Sequence, residues 1–204
     1  MKNIREFFGD IDIYLFDQIQ KGRFDPRMKI LDAGCGGGRN LIYFMRMGCD
    51  VFAVDQNAEA IAQIKYFAES LAPNLPFENF QTAPVEQMPF PDNHFDWVIS
   101  NAVLHFAENK TQFDQMLIEM WRVLKPNGIL FVRLASSIGI QHLIIPTTDG
   151  RYELPDGSER FLVNEQMLID ATTNLGAELL EPIKTTNVQN LRCMTTWILY
   201  KNSV

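Results

Sequence analysis

Residues 31–40, LDAGCGGGRN, set glycines at 34, 36, 37 and 38 directly after an apolar run. Glycines packed so densely exclude side chains, either for a tight turn or because a ligand comes close to the backbone. Spacing narrows the chemistry. The dinucleotide fingerprint is GxGxxG, and its third glycine position holds Arg39 here; the pattern present is GxGxG over Gly34, Gly36 and Gly38. No GKS or GKT follows, so the loop is not a phosphate-cradling P-loop. Asp55 lies about 20 residues past the glycines, the interval at which an acid accepts hydrogen bonds from a ribose. Asn101 and His105 follow a later apolar run. An imidazole titrates near neutral pH and can serve as a general base, although a lone histidine is more often structural.

These residues must be carried by regular elements, and the apolar pattern supplies them. Residues 28–34 read as a buried strand ending in the glycines. Residues 39–47 have helical spacing, with Leu41, Phe44 and Met45 on one face and Gly48 as the stop. Residues 49–55 are a second strand ending at Asp55, and Asn57 caps a helix that runs to about Leu71, before Pro73. Residues 76–83 and 95–101 are a third and a fourth strand, with a turn at 91–94. A helix over 111–124 ends at KPNG, and 128–136 is a fifth strand. Strands alternating with helices indicate an α/β fold whose parallel sheet is covered on both faces. The tail departs from that rhythm. After a helix at 164–175, the strands at 177–186 and 191–201 are too close for a parallel crossover and must form an antiparallel hairpin. Residues 1–25 are expected to form a helical cap on one domain spanning 1–204. Residues 137–162 fit neither pattern and are expected to be an insertion or substrate-covering loop.

Composition removes several function classes. The net charge of −7 argues against nucleic acid as a partner, since phosphate backbones are held by basic surfaces. No run of 18 uncharged apolar residues is present, and the first residues carry acids among their apolar positions, so neither a membrane partner nor a signal peptide is expected. Cys35, Cys49 and Cys193 are scattered without a CxxC pair, which suggests reduced thiols in a cytoplasmic protein and no metal site.

The ordered set of motifs resembles the class I S-adenosylmethionine-dependent methyltransferases. Asp32 and the GxGxG of residues 34–38 match that family's first motif, and Asp55 its ribose-binding acid. Residues 84–106, PVEQMPFPDNHFDWVISNAVLHF, resemble its adenine loop and fourth strand, and residues 121–135, with KPNG, its fifth-strand entry. The GRN after the glycines is similar to the tellurite-resistance methyltransferase branch. The resemblance implies a Rossmann-like three-layer sandwich with a seven-stranded, mostly parallel sheet and an antiparallel C-terminal hairpin strand. It also implies S-adenosylmethionine as cofactor and S-adenosylhomocysteine as product. The cofactor would be bound by Asp32, Gly34, Cys35, Gly36, Gly38, Asp55, Gln56, Val85, Glu86 and Asn101, with His105 as candidate catalytic residue. One position departs: Pro84 stands where relatives often carry an acid for the adenine amino group, leaving Glu86 or backbone groups such as the Val85 N–H to take that contact.

Absent motifs shape the acceptor. The fourth strand runs into SNAV rather than NPPY or DPPY, and no Pro-Cys pair occurs. Methylation of DNA bases, of protein glutamine and of cytosine ring carbon is therefore disfavoured, and a small-molecule acceptor on a monomer or homodimer is expected. Thiol, chalcogen or oxyanion acceptors would need little help from a base. The competing readings are a cofactor-binding module without turnover and an NAD-dependent oxidoreductase, against which Arg39 counts. Arg39 is expected either to pair with Asp32 or to reach the methionine carboxylate, Tyr14 to join the core or act as a lid, His142 to line a substrate pocket, and His94 to be exposed. Arg133 and Arg192 are candidate substrate contacts; Arg151 and Arg160 read more simply as solvated surface.

Overall fold

The protein is described by a computed structural model covering residues 4–203. The segment expected to form a cap contains α1 (Ile4–Phe8) and α2 (Ile13–Gln20); residues 1–3 lie outside the described residues. Then come β1 (Lys29–Ala33), α3 (Ile42–Arg46), β2 (Asp50–Asp55), α4 (Ala58–Leu71), β3 (Phe80–Thr82) and β4 (Phe95–Asn101). The second half holds α5 (Lys110–Val123), β5 (Leu124–Ser136), the short strands β6 (Ile145–Pro146), β7 (Arg151–Glu153) and β8 (Glu159–Phe161), and α6 (Glu165–Asn174). It closes with β9 (Ala177–Leu179), β10 (Lys184–Val188) and β11 (Arg192–Lys201).

The main sheet runs β10-β11-β5-β4-β1-β2-β3. Neighbours from β3 to β5 are parallel, and β11 lies antiparallel to both β5 and β10. Alternation along each strand divides the core into two layers. Ile30, Val51, Trp97 and Phe131 face α2, α3 and α4, while Leu31, Phe52, Val98 and Val132 face α5 and α6. Helices on both faces and a parallel centre give the expected three-layer arrangement.

Three local departures have physical causes. The helix expected from Arg39 begins only at Ile42, because positive φ at Gly34, Gly36 and Gly38 (78°, 49° and 73°) holds the chain in turns. The third strand is preceded by a 3₁₀ turn, Phe77–Asn79, which Asn79 anchors by donating to the Val51 carbonyl and the Asp50 carboxylate. The strand expected over 177–186 is broken in two. Pro182 lies between β9 and β10 and has no N–H for a ladder, so the two pieces pair separately with β11, at Leu179–Leu199 and at Lys184–Thr196. The hairpin itself turns at Gln189 and Asn190, both left-handed (φ 52° and 59°).

Residues 137–162 carry β6, β7 and β8, paired into a small antiparallel sheet. It is pinned to the chain after β4: Arg151 donates to the Ala107 carbonyl, and the Arg160 guanidinium lies 4.8 Å from the Phe106 ring centre.

Candidate functional site

A cavity of about 540 Å³ opens at the carboxyl ends of β1, β2 and β4. Its floor is the glycine loop, where the glycines take different parts. A Cβ at Gly34 would stand 2.6 Å from Val103 and one at Gly38 2.8 Å from Ile64, so these two allow close packing. At Gly36 a Cβ would meet nothing within 4 Å, so this is the position open to a ligand. Asp55, at the end of β2, ties the loop down: its Oδ2 accepts from the Gly36 N–H at 2.8 Å, and its Oδ1 from the Asn57 N–H at 2.9 Å. Both oxygens keep lone pairs for further donors.

The next wall follows β4. Asn101 is 8% exposed and lines the cavity, yet neither its Oδ1 nor its Nδ2 has a hydrogen-bond partner. A buried amide left without partners is costly, by about 1–3 kcal/mol, and this one borders the open cavity. Ala102 then turns the chain with φ of 63°, a left-handed conformation strained for a residue with a Cβ, and its N–H donates to the Arg133 carbonyl.

Of the expected cofactor residues, Gly34, Cys35, Gly36, Asp55, Gln56, Val85, Glu86 and Asn101 line this cavity together. Glu86 accepts from the Gln112 side chain at 2.9 Å, and both line the cavity. Burial pushes the Cys35 thiol far above its ordinary pKa, with Asp32 and Asp55 adding, so it is inert there. Gly38 packs behind the loop, and Asp32 is buried beneath it without reaching the cavity wall. The Asp32 carboxyl is raised to about 7, chiefly by burial; Arg39 opposes the rise and Asp55 adds to it.

His105 is not brought to the cavity wall. It sits in the 3₁₀ turn Leu104–Phe106, where its Nδ1 accepts the Ala135 N–H at 3.0 Å. That bond places the imidazole proton on Nε2 and leaves no lone pair to take a proton from a substrate. Burial, with the charges of Arg160 and Arg192 beside it, pushes its pKa down to about 4.

Other expectations resolve differently. Arg39 lines the cavity but faces Asp12 at 3.7 Å and the Asp10 carbonyl at 3.1 Å, rather than Asp32. Tyr14 packs on the core and under the Arg133 guanidinium, away from the cavity. His142 is exposed and lines no described cavity. His94 is half-buried, edge-on to Phe52 and Phe95, rather than exposed. Arg133 donates to Asp12 at 3.0 Å. Gly37, Asn40, Ala102, Val103, Phe106, Ala107, Gln112 and Met116 also line the wall and are missing from the expected set. Gln112 and Met116 are one helical turn apart on α5, a spacing indistinguishable in sequence from core packing.

Comparison with known proteins agrees with this geometry. Residues 31–132 match the family described as Methyltransferase domain. An uncharacterized methyltransferase of Synechocystis sp. is 31% identical over 104 residues, 51% of this chain and 45% of that protein. A thiol S-methyltransferase of Homo sapiens is 36% identical over 122 residues, 57% of this chain and 47% of that protein. The chain thus spans about half the length of the curated relatives it matches. A solved S-adenosylmethionine-dependent methyltransferase from Methanosarcina mazei shares the fold at a TM-score of 0.71 and 21% identity, covering 91% of this chain and 98% of that one. The family match takes in half of the chain, from the glycine loop through Asp55 and Asn101 into β5, and the chain belongs to the Methyltransferase domain family, among the class I S-adenosylmethionine-dependent methyltransferases.

Proposed function

We propose that this protein transfers a methyl group from S-adenosylmethionine to a small-molecule acceptor. The unpartnered amide of Asn101, in the same cavity as an open Gly36 on a loop fixed by Asp55, carries this reading. When bound, S-adenosylmethionine supplies a sulfonium-activated methyl that a nucleophile takes in line, leaving S-adenosylhomocysteine. The chain's own contribution is to hold and to orient. Asp55 accepts from the ribose, Val85 and Glu86 border the adenine, and Asn101 satisfies its amide on the polar end of the cofactor. The Pro84 departure is met by Glu86 and by the Val85 backbone. Orientation of this kind accounts for about 7–11 kcal/mol in well-placed reactions.

Among the described residues no imidazole lines the cavity, and the Cys35 thiol stays protonated. This favours an acceptor already nucleophilic at neutral pH, such as a thiol or chalcogen anion, and the thiol acceptor of the human relative supports the same class. The small sheet of residues 137–162 serves as the acceptor-side cover, because it is pinned to Phe106 and Ala107 at the cavity rim.

Calorimetric titration tests the reading. S-adenosylhomocysteine should bind with micromolar affinity and NAD should not bind. Asp55→Ala should weaken S-adenosylhomocysteine at least tenfold, about 1.4 kcal/mol. Unchanged affinity would remove the ribose assignment. Binding without turnover on thiols, selenite, tellurite and metabolite pools would favour a cofactor-binding module instead.

A further inference from the structure

His105 is nine-tenths buried, and its Nε2–H makes no hydrogen bond among the described residues. Its ring centre lies 4.6 Å from that of Phe106, and the Arg160 guanidinium carbon lies 4.8 Å from the same Phe106 centre. Phe106 lines the cavity mouth yet is 58% exposed, a large apolar ring left open beside a cation. Strand alternation explains the placement: Phe161 of β8 turns inward to stack on Phe113, so Arg160 beside it turns to the opposite face. Arg160 forms no ion pair among the described residues; its one hydrogen bond goes to the Glu159 carbonyl. Arg192 stands close enough for its charge to be felt at His105, and its own partner is Asp156 at 3.5 Å. Asp156 is in turn held by the Ser158 backbone and hydroxyl.

In a chain of net charge −7, a small anion is disfavoured except where cations and free donors converge. Here His105 and the Arg160 guanidinium both lie against Phe106, which lines the rim of the cofactor cavity, and Arg192 adds a second cation whose partner Asp156 also feels the charge of Arg160. We infer that this corner binds the anionic group of the methyl acceptor, a carboxylate or similar oxyanion, with His105 Nε2–H and Arg160 donating to its oxygens, Arg192 flanking, and Phe106 under its carbon skeleton. His105 thereby acts as an acceptor-binding donor rather than a base. The inference rests on the methyltransferase reading for the acceptor's identity, but the anion site can be measured without turnover.

The test uses the full chain saturated with S-adenosylhomocysteine, titrated with benzoate, 3-phenylpropionate and mercaptoacetate, each against its neutral amide. At least one anion should bind tenfold or more tightly than its amide. Arg160→Gln should remove most of that preference while S-adenosylhomocysteine affinity stays within twofold. Arg192→Gln, at an exposed position, should reduce the preference severalfold and stands in if the first variant does not fold. The inference fails if no anion outbinds its amide, or if the preference survives in both variants. If wild-type protein does not bind S-adenosylhomocysteine, the methyltransferase reading fails instead, and the same anion titrations without it decide the site.

Discussion

Asp32 and His105 are both buried ionisable groups near the cavity, and burial moves them in opposite directions toward the neutral form. For Asp32 the folded value, about 7, lies above the unfolded value of 3.8. Such a group favours folding most below pH 3.8, and its contribution is lost as pH rises to about 7. The full change is on the order of 4 kcal/mol. Asp32→Asn, which keeps the shape and removes the titration, should therefore gain on the wild type in urea unfolding as pH goes from 4 to 8. A constant difference across that range would mean that Asp32 stays charged in the fold. For His105 the sign reverses. Its folded value of about 4 lies below the ordinary 6.5, so it weakens the fold as pH falls through that window.

At the scale of elements, Asp12 fastens the N-terminal helices to the sheet. Its Oδ1 caps α2 at the Tyr14 N–H, its Oδ2 receives Arg133 of β5, and its own N–H donates to Asn40 of the glycine loop. Removing one member of a buried pair costs about 3–5 kcal/mol, and partial solvent access at Arg133 puts this one near 3. Asp12→Asn keeps the cap and should lose about that much stability; Asp12→Ala should lose about 1 kcal/mol more. Equal losses in chemical denaturation would mean that the cap contributes nothing. None of this latch is legible in the sequence, where Asp12, Arg39 and Arg133 are far apart and their pairing depends on tertiary placement. The elements themselves were legible wherever pattern and punctuation agreed. Asn57 and the run before Pro73 delimit α4, and residues 95–101 coincide with β4. Boundaries shifted where backbone chemistry competes with periodicity, at the positive-φ glycines before α3 and at Pro182. The cavity residues taken from β1, β2 and the chain after β4 were legible because they follow strand ends. Gln112 and Met116 were not, since a cavity wall and a core face share one period. The small sheet of residues 137–162 pairs strands of two or three residues, too short for alternation to register.

For the whole molecule, a ligand that binds only the folded state must raise its stability. S-adenosylhomocysteine at a hundred times its Kd should add about 2.7 kcal/mol. For a domain of this size that amounts to a Tm increase of about 5–11 °C in a melting curve. NAD at the same concentration should leave Tm unchanged; a comparable rise with NAD would contradict the cofactor assignment. No helix among the described residues is long and apolar enough to cross a membrane. The two margins of the main sheet bear on how such molecules behave when crowded. One margin is β3, only three residues long, and the other is divided where Pro182 separates β9 from β10. A flat, uninterrupted margin invites another chain to continue the ladder, whereas short and broken ones offer too few consecutive donors and acceptors. The proline that blurs the tail in sequence therefore also limits strand-by-strand polymerisation, and Pro182→Val, by restoring a backbone donor there, should make the protein easier to seed into fibrils.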